Sequence, residues 1–165
     1  ELDPRHALAH LGLGNVLSDA GEWEAAIDSY AKAIELSPDD AHAYEGLGFV
    51  YADIRQFEQA LAAFHRAAEL DPLSVAAHLG AAGAARHLGD VATAQQHVNS
   101  ARFLVEKDDY FGQACLESIA GDVRAALAAL SRAVKNDPRL RTWAEQDSDL
   151  DWIREEPGYK KLMAE

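Results

Sequence analysis

The sequence predicts an all-α chain of stacked helix-turn-helix repeats. Three observations carry that prediction. Proline recurs with a 34-residue step at Pro4, Pro38 and Pro72, each time closing a similar phrase: Glu1-Leu2-Asp3-Pro4, Glu35-Leu36-Ser37-Pro38 and Glu69-Leu70-Asp71-Pro72. Small and bulky positions keep the same register, with Ala26, Ala60, Ala94 and Ala126 in one set and Tyr30, Phe64, Val98 and Leu130 in another. Within the units, apolar residues follow the i, i+3, i+4, i+7 spacing of a helix that buries one face. Self-similarity at a fixed period is the mark of units that bury their apolar faces only by stacking.

In the first unit, His10, Leu13, Gly14 and Leu17 form one helical stripe. Asp19-Ala20-Gly21-Glu22 breaks it, with Gly21 placed to take a left-handed C-terminal cap. Trp23, Ala26, Ile27, Tyr30, Ala33 and Ile34 form a second stripe that runs to Ser37-Pro38. Proline disfavours helix in the residue before it and suits the start of the next one. The same grammar divides the chain into units at 7–40, 41–74, 75–106 and 107–140, with 1–6 as the end of a truncated preceding repeat. The glycine register holds at Gly21, Gly89 and Gly121, with Arg55 in the second unit.

The third unit departs from the pattern. Ala81-Ala82 replaces Leu-Gly, Ala85 replaces an aromatic, Glu106 stands at the proline position, and the unit is two residues short. Repeat arrays are held by nearest-neighbour interfaces, so this junction is predicted to be the weakest or most altered. Residues 141–165 are predicted to form a C-terminal helical cap. Leu140, Trp143, Leu150, Ile153, Tyr159 and Leu162 would cover the last open helix pair, and the segment's acids would supply the polar outer face.

The chain resembles tetratricopeptide repeat arrays. The second unit carries the likeness best, as Tyr44, Leu47-Gly48, Tyr51, Phe57, Ala60, Phe64, Ala67 and Pro72. The closing segment is similar to that of many bacterial repeat proteins. The resemblance implies a right-handed superhelical α-solenoid in which the first helix of each unit lines a concave groove, and it implies binding of peptides or other proteins. Peptide-binding members that hold a C-terminal carboxylate use a clamp of lysines, an arginine and asparagines. Asn15 matches one asparagine, but Leu11, Gly46, Ala76 and Gly80 stand where the rest of the clamp should be, so a carboxylate-clamp adaptor is not expected.

Composition narrows the partners. Twenty-eight acids against fifteen bases give a formal charge of −13. Such a chain repels nucleic-acid phosphates and anionic membrane surfaces. The acidity concentrates in residues 1–74, with fourteen acids and four bases, and again in the last 25 residues, with seven and four. The charge-free, Ala-rich run Ser74 to Ala85 is too short to span a bilayer, so direct membrane insertion is not expected. The single thiol, Cys115, favours a cytoplasmic location.

The groove face of each first helix supplies the candidate site. Unit one offers Leu8, Leu11, Asn15 and Asp19. Unit two offers His42, Glu45, Phe49 and Asp53. Unit three offers Leu79, Arg86 and His87, and unit four offers Phe111 and Cys115. Apolar residues on a face not needed for packing mark a binding surface. With Asp19, Glu45 and Asp53 beside them, they suit an apolar or basic segment, whose charge would set encounter and register more than affinity.

Catalytic and metal chemistry find little support. His6 and His10 have ligand spacing on one helix but no third partner, and no His-Glu-x-x-His phrase exists. Cys115 near His87 lacks an orienting group and an oxyanion site. Gly12-x-Gly14 lies within a helix, where it serves close packing. No enzyme activity, cofactor or metal is expected. The reading is a protein-interaction scaffold or adaptor. Its alternatives are an accessory arm of a larger enzyme or membrane protein, and a self-assembly module that forms a homo-oligomer through the N-terminal end.

Overall fold

The computed structural model describes residues 4–164, so that part of the 1–6 segment lies outside the described residues. Among those described, the chain is an α-solenoid without strands. Eight helices form four antiparallel pairs: α1 (Pro4–Asp19) with α2 (Trp23–Leu36), α3 (Ala41–Asp53) with α4 (Phe57–Leu70), α5 (Val75–His87) with α6 (Val91–Leu104), and α7 (Tyr110–Ala120) with α8 (Val123–Asn136). Pro4 to His6 belong to α1 itself. Two shorter helices, α9 (Leu140–Gln146) and α10 (Pro157–Ala164), flank a 3-10 turn at Ser148–Leu150. The first helices of consecutive units touch one another along α1, α3, α5 and α7, which makes them the inner wall of the superhelix.

Local chemistry sets the helix ends. The first turn of a helix leaves N–H groups without partners. Side chains at Asp40, Ser74, Asp90, Asp109 and Asp122 accept from such groups, for example Ser74 Oγ from Ala77 N–H at 3.0 Å and Asp122 from Ala125 N–H at 2.9 Å. First helices end where the chain turns left-handed, at Gly21 (φ 75°), Gly89 (φ 77°) and Gly121 (φ 86°). Arg55 takes the same conformation at φ 59°, the one non-glycine residue with positive φ among those described.

The core is a row of knobs set into holes of backbone. Tyr30 lies between Gly14 of its own unit and Gly46 of the next, where a Cβ on either glycine would collide with its ring. Phe64 repeats this one unit on. A Cβ on Gly48 would come within 2.8 Å of its ring, and one on Gly80 within 2.5 Å. Val98 takes the third knob position, in one buried cluster with Ala82 and Ala114. Leu130 is the fourth knob, buried completely.

The third unit keeps its packing by another route. Residues Ala77 to Ala85 of α5 are all buried, because small side chains let neighbouring helices approach closely. The irregularity falls at the following junction. Helix α7 begins only at Tyr110, after Val105 has taken an extended conformation and Asp109 has become the cap. The two-residue shortfall therefore removes the first turn of α7. Contact between α6 and α7 is the sparsest between consecutive units.

The C-terminal segment divides its apolar residues between two places. Leu150, Ile153 and Tyr159 are buried against α7 and α8, with Leu140 and Leu162 at the margin of the same cluster. The Tyr159 hydroxyl donates to the Ala144 carbonyl at 2.7 Å. Trp143 differs from the sequence expectation. It is 68% exposed, and it faces the groove instead of covering the last helix pair.

Candidate groove on the concave face

The inner wall has an open half and a filled half. Between α1 and α3 lies an open pocket of about 400 Å³, lined by Leu11, Asn15, Ser18, Asp19, Tyr30, His42, Glu45, Gly46 and Phe49. Leu11 is half-buried, and its neighbour on the helix face, Leu8, is 63% exposed. Asn15 is exposed, and its Oδ1 accepts the Tyr30 hydroxyl at 2.7 Å. Asp19 and His42 are exposed. Glu45 is half-buried and accepts the hydroxyl of Ser74, so it ties α3 to the cap of α5. Phe49 is 45% exposed and lays its edge on Phe64, with centroids 5.0 Å apart and planes at 79°. An apolar floor rimmed by acids thus extends across two units.

The half formed by α5 and α7 is occupied by the chain itself. The turn at Ser148–Leu150 packs on both helices. Consequently Leu79 and Cys115 are buried, and Phe111 is half-buried at the edge of the same cluster. The groove does not present them as parts of one continuous apolar strip. Arg86 has a positioning role. Its guanidinium donates to the carbonyls of Ser118 and Ile119 at the end of α7, where a cation is favoured by the helix dipole. It also lies over the Trp152 ring, 4.1 Å from the centroid. His87 stacks on Phe57 at 4.1 Å with planes 6° apart, and its other neighbour is Trp152 at 4.7 Å. Burial lowers the pKa of His87, partly opposed by the charge of Asp151.

Carboxylates crowd this seam. Asp147 accepts the Cys115 S–H at 3.8 Å and the Asp149 N–H at 2.9 Å. Burial pushes the Asp147 carboxyl up, against the pull of these donors and of Arg154. Burial and the charges of Asp147 and Asp151 push Asp149 well above the usual carboxylate range. Partial burial and the charge of Asp147 push Asp53 up. Burial raises the Cys115 thiol strongly, which keeps it protonated and unreactive. Cys115 Sγ and one oxygen each from Asp147 and Asp149 lie within 4.8 Å of one another. Of these, only Cys115 was singled out from the sequence. The signal for the others was Gly83 at a groove position, since a missing Cβ marks close approach by something else.

His78 and His97 pair inside the third unit, away from the groove, with their Nδ1 atoms 2.9 Å apart. His78 stands at the register position that Tyr44 and Tyr110 hold in the neighbouring units.

Tetratricopeptide repeat models match residues 14–54 and 46–108, together more than half of the chain. The chain belongs to the tetratricopeptide repeat family. Solved structures of repeat domains have the same course. The Arabidopsis OM64 domain is 20% identical, with 81% of this chain and 98% of that one covered and a TM-score of 0.61. The TPR2B domain of yeast Sti1, in its pHsp70 complex, is 19% identical, with 90% and 96% covered and a TM-score of 0.59. YrrB, described as a TPR protein with an unusual peptide-binding site, is 22% identical, with 96% and 90% covered and a TM-score of 0.60. At these identities the likeness is one of fold. No curated protein matches the chain. Among the described residues, no helix of this tetratricopeptide repeat protein is long and apolar enough to cross a membrane.

Proposed function

We propose that this chain is a protein-interaction module that holds an apolar or basic partner segment in the open half of its groove, between α1 and α3. One observation carries the reading. The open pocket combines the apolar anchors Leu11 and Phe49 with the acids Asp19 and Glu45, on a wall that its own tail leaves free. Concave faces of stacked repeats are extended binding surfaces. The peptide complex and the peptide-binding site named for two structures of the same fold support this use. The filled half of the groove acts as a stop that keeps the partner from running on along α5 and α7. The module works by binding and performs no reaction of its own.

Selection of a displayed random peptide library against the purified chain tests the proposal. The reading expects a consensus of apolar and basic residues. It also expects loss of binding in Leu11→Ser/Phe49→Ser, with helicity retained, and in Asp19→Lys, which alters only an exposed charge. Selected peptides that bind all three proteins equally would overturn it.

A second reading, self-association, is favoured by the other side of α1. Leu13 and Val16 are 48% and 64% exposed there. Light scattering over a concentration series separates the two, because a monomer at every concentration speaks against self-association.

A further inference from the structure

We propose that the aromatic pocket between α3, α5 and the C-terminal segment receives one lysine or arginine side chain of the partner. The proposal rests on the groove reading above and names the chemistry of one subsite within it.

The pocket measures about 290 Å³, near the lower end of the ~300–1,000 Å³ range of ligand sites. Five aromatic residues line it, Phe49, Phe57, Phe64, His87 and Trp143, of which Phe49 and Trp143 are well exposed. Three carboxyl groups, Asp53, Asp147 and Asp149, border the same space. Among the described residues, no side chain donates to the carboxyl of Asp149, which is half-buried at the wall of the pocket. No lysine or arginine lines the pocket. The nearby cations are engaged elsewhere. Arg55 and Arg154 reach Asp151 at 3.5 Å and 2.8 Å, and Arg86 is turned to the end of α7. His87 is held toward its neutral form by burial.

Aromatic faces and carboxylates share one preference, a cation. An apolar occupant would leave these acids without a counter-charge, and an anion would find no cation among the lining residues. The pocket is also continuous with the open half, since Phe49 lines both. A segment lying between α1 and α3 that passes Phe49 brings its next long side chain to this space.

The test is an amide-shift titration of the intact chain with Nα-acetyl-lysine methylamide, and with its norleucine and glutamate counterparts. The lysine probe is expected to shift Gly83, His87 and the Trp143 indole, with the norleucine probe about tenfold weaker and the glutamate probe silent. Asp149→Asn, a neutral isostere, is expected to weaken the lysine probe about tenfold. Trp143→Leu, at an exposed position, serves as a second variant and is expected to weaken it likewise. Equal response to lysine and norleucine, preference for glutamate, or no shift at these sites overturns the subsite. Library-selected segments that depend on Leu11 but tolerate loss of their basic residues overturn the subsite and leave the groove reading standing. A lysine probe that binds while no segment is selected keeps the subsite and removes the groove reading.

Discussion

Gly83 and Asp149 are in close apposition: a Cβ on Gly83 would lie 2.8 Å from the Asp149 Oδ1. This missing methyl group lets the chain's own tail enter the groove. Replacement by alanine gains up to about 1 kcal/mol of helix propensity but forces the turn at Ser148–Leu150 away. Gly83→Ala is therefore expected to change global stability by less than about 1 kcal/mol, with a selective loss of amide protection at 148–150. Hydrogen exchange read by mass spectrometry checks this, and unchanged protection would contradict it.

The ring of Phe64 joins two units. It fills holes at Gly48 and Gly80 and is 1% exposed. Phe64→Ala is expected to cost about 3–5 kcal/mol in urea unfolding. Gly80→Ala, which adds a methyl group against the same ring, is expected to destabilise as well, despite its better helix propensity.

Arg55 adopts φ 59° where the other units use glycine. A side chain in that conformation costs about 1–2 kcal/mol. Its exposed contact to Asp151, at 3.5 Å, returns little. Arg55→Gly is expected to raise the melting temperature by about 2–4 °C, as read by thermal circular dichroism.

The His78–His97 pair makes the third unit sensitive to acid. The Pro72 carbonyl only accepts, so His78 donates to it from Nε2, at 3.2 Å, and receives the His97 Nδ1–H on its own Nδ1. Burial, and then the charges of His65 and His78, lower His97 to about 4 from an ordinary 6.5. A folded-state value below the unfolded one favours the fold while the ring is neutral. That stability is present above about 6.5 and is lost as pH falls toward about 4. The melting temperature is expected to drop over that interval, and a flat profile would contradict the pairing.

Asp149 has the opposite sign. Its raised folded-state value penalises the charged form, so tail docking is expected to tighten as pH falls from neutrality. Asp149→Asn is expected to raise the melting temperature at pH 7 and to flatten that part of the profile.

The repeats were legible because period and volume are both written in the residues. Tyr30, Phe64, Val98 and Leu130 share one register, and the glycines or alanines that receive them share another. The open part of the groove was legible for the same reason. Leu11, Asn15, Asp19, His42, Glu45 and Phe49 fall on one helical face, and the structure brings them to one pocket. The path of the tail was not legible. Helical periodicity fixes which residues share a face within an element, but it does not say where an irregular segment docks. Asp147, Asp149 and Asp151 read as a solvated polar surface, whereas two of them line the pocket beside α3 and α5. Trp143 read as core and is open to the groove.

The most direct test of groove binding is to map a library-selected peptide onto the chain by amide shifts. The account predicts changes confined to α1 and α3, at Leu11, Asn15, His42, Gly46 and Phe49, extending past Phe49 only toward Gly83 and Trp143, with the amides of Ser148–Leu150 still protected. Changes centred on α2 and α4, or a peptide that displaces the Ser148–Leu150 turn to lie along α5 and α7, would contradict it.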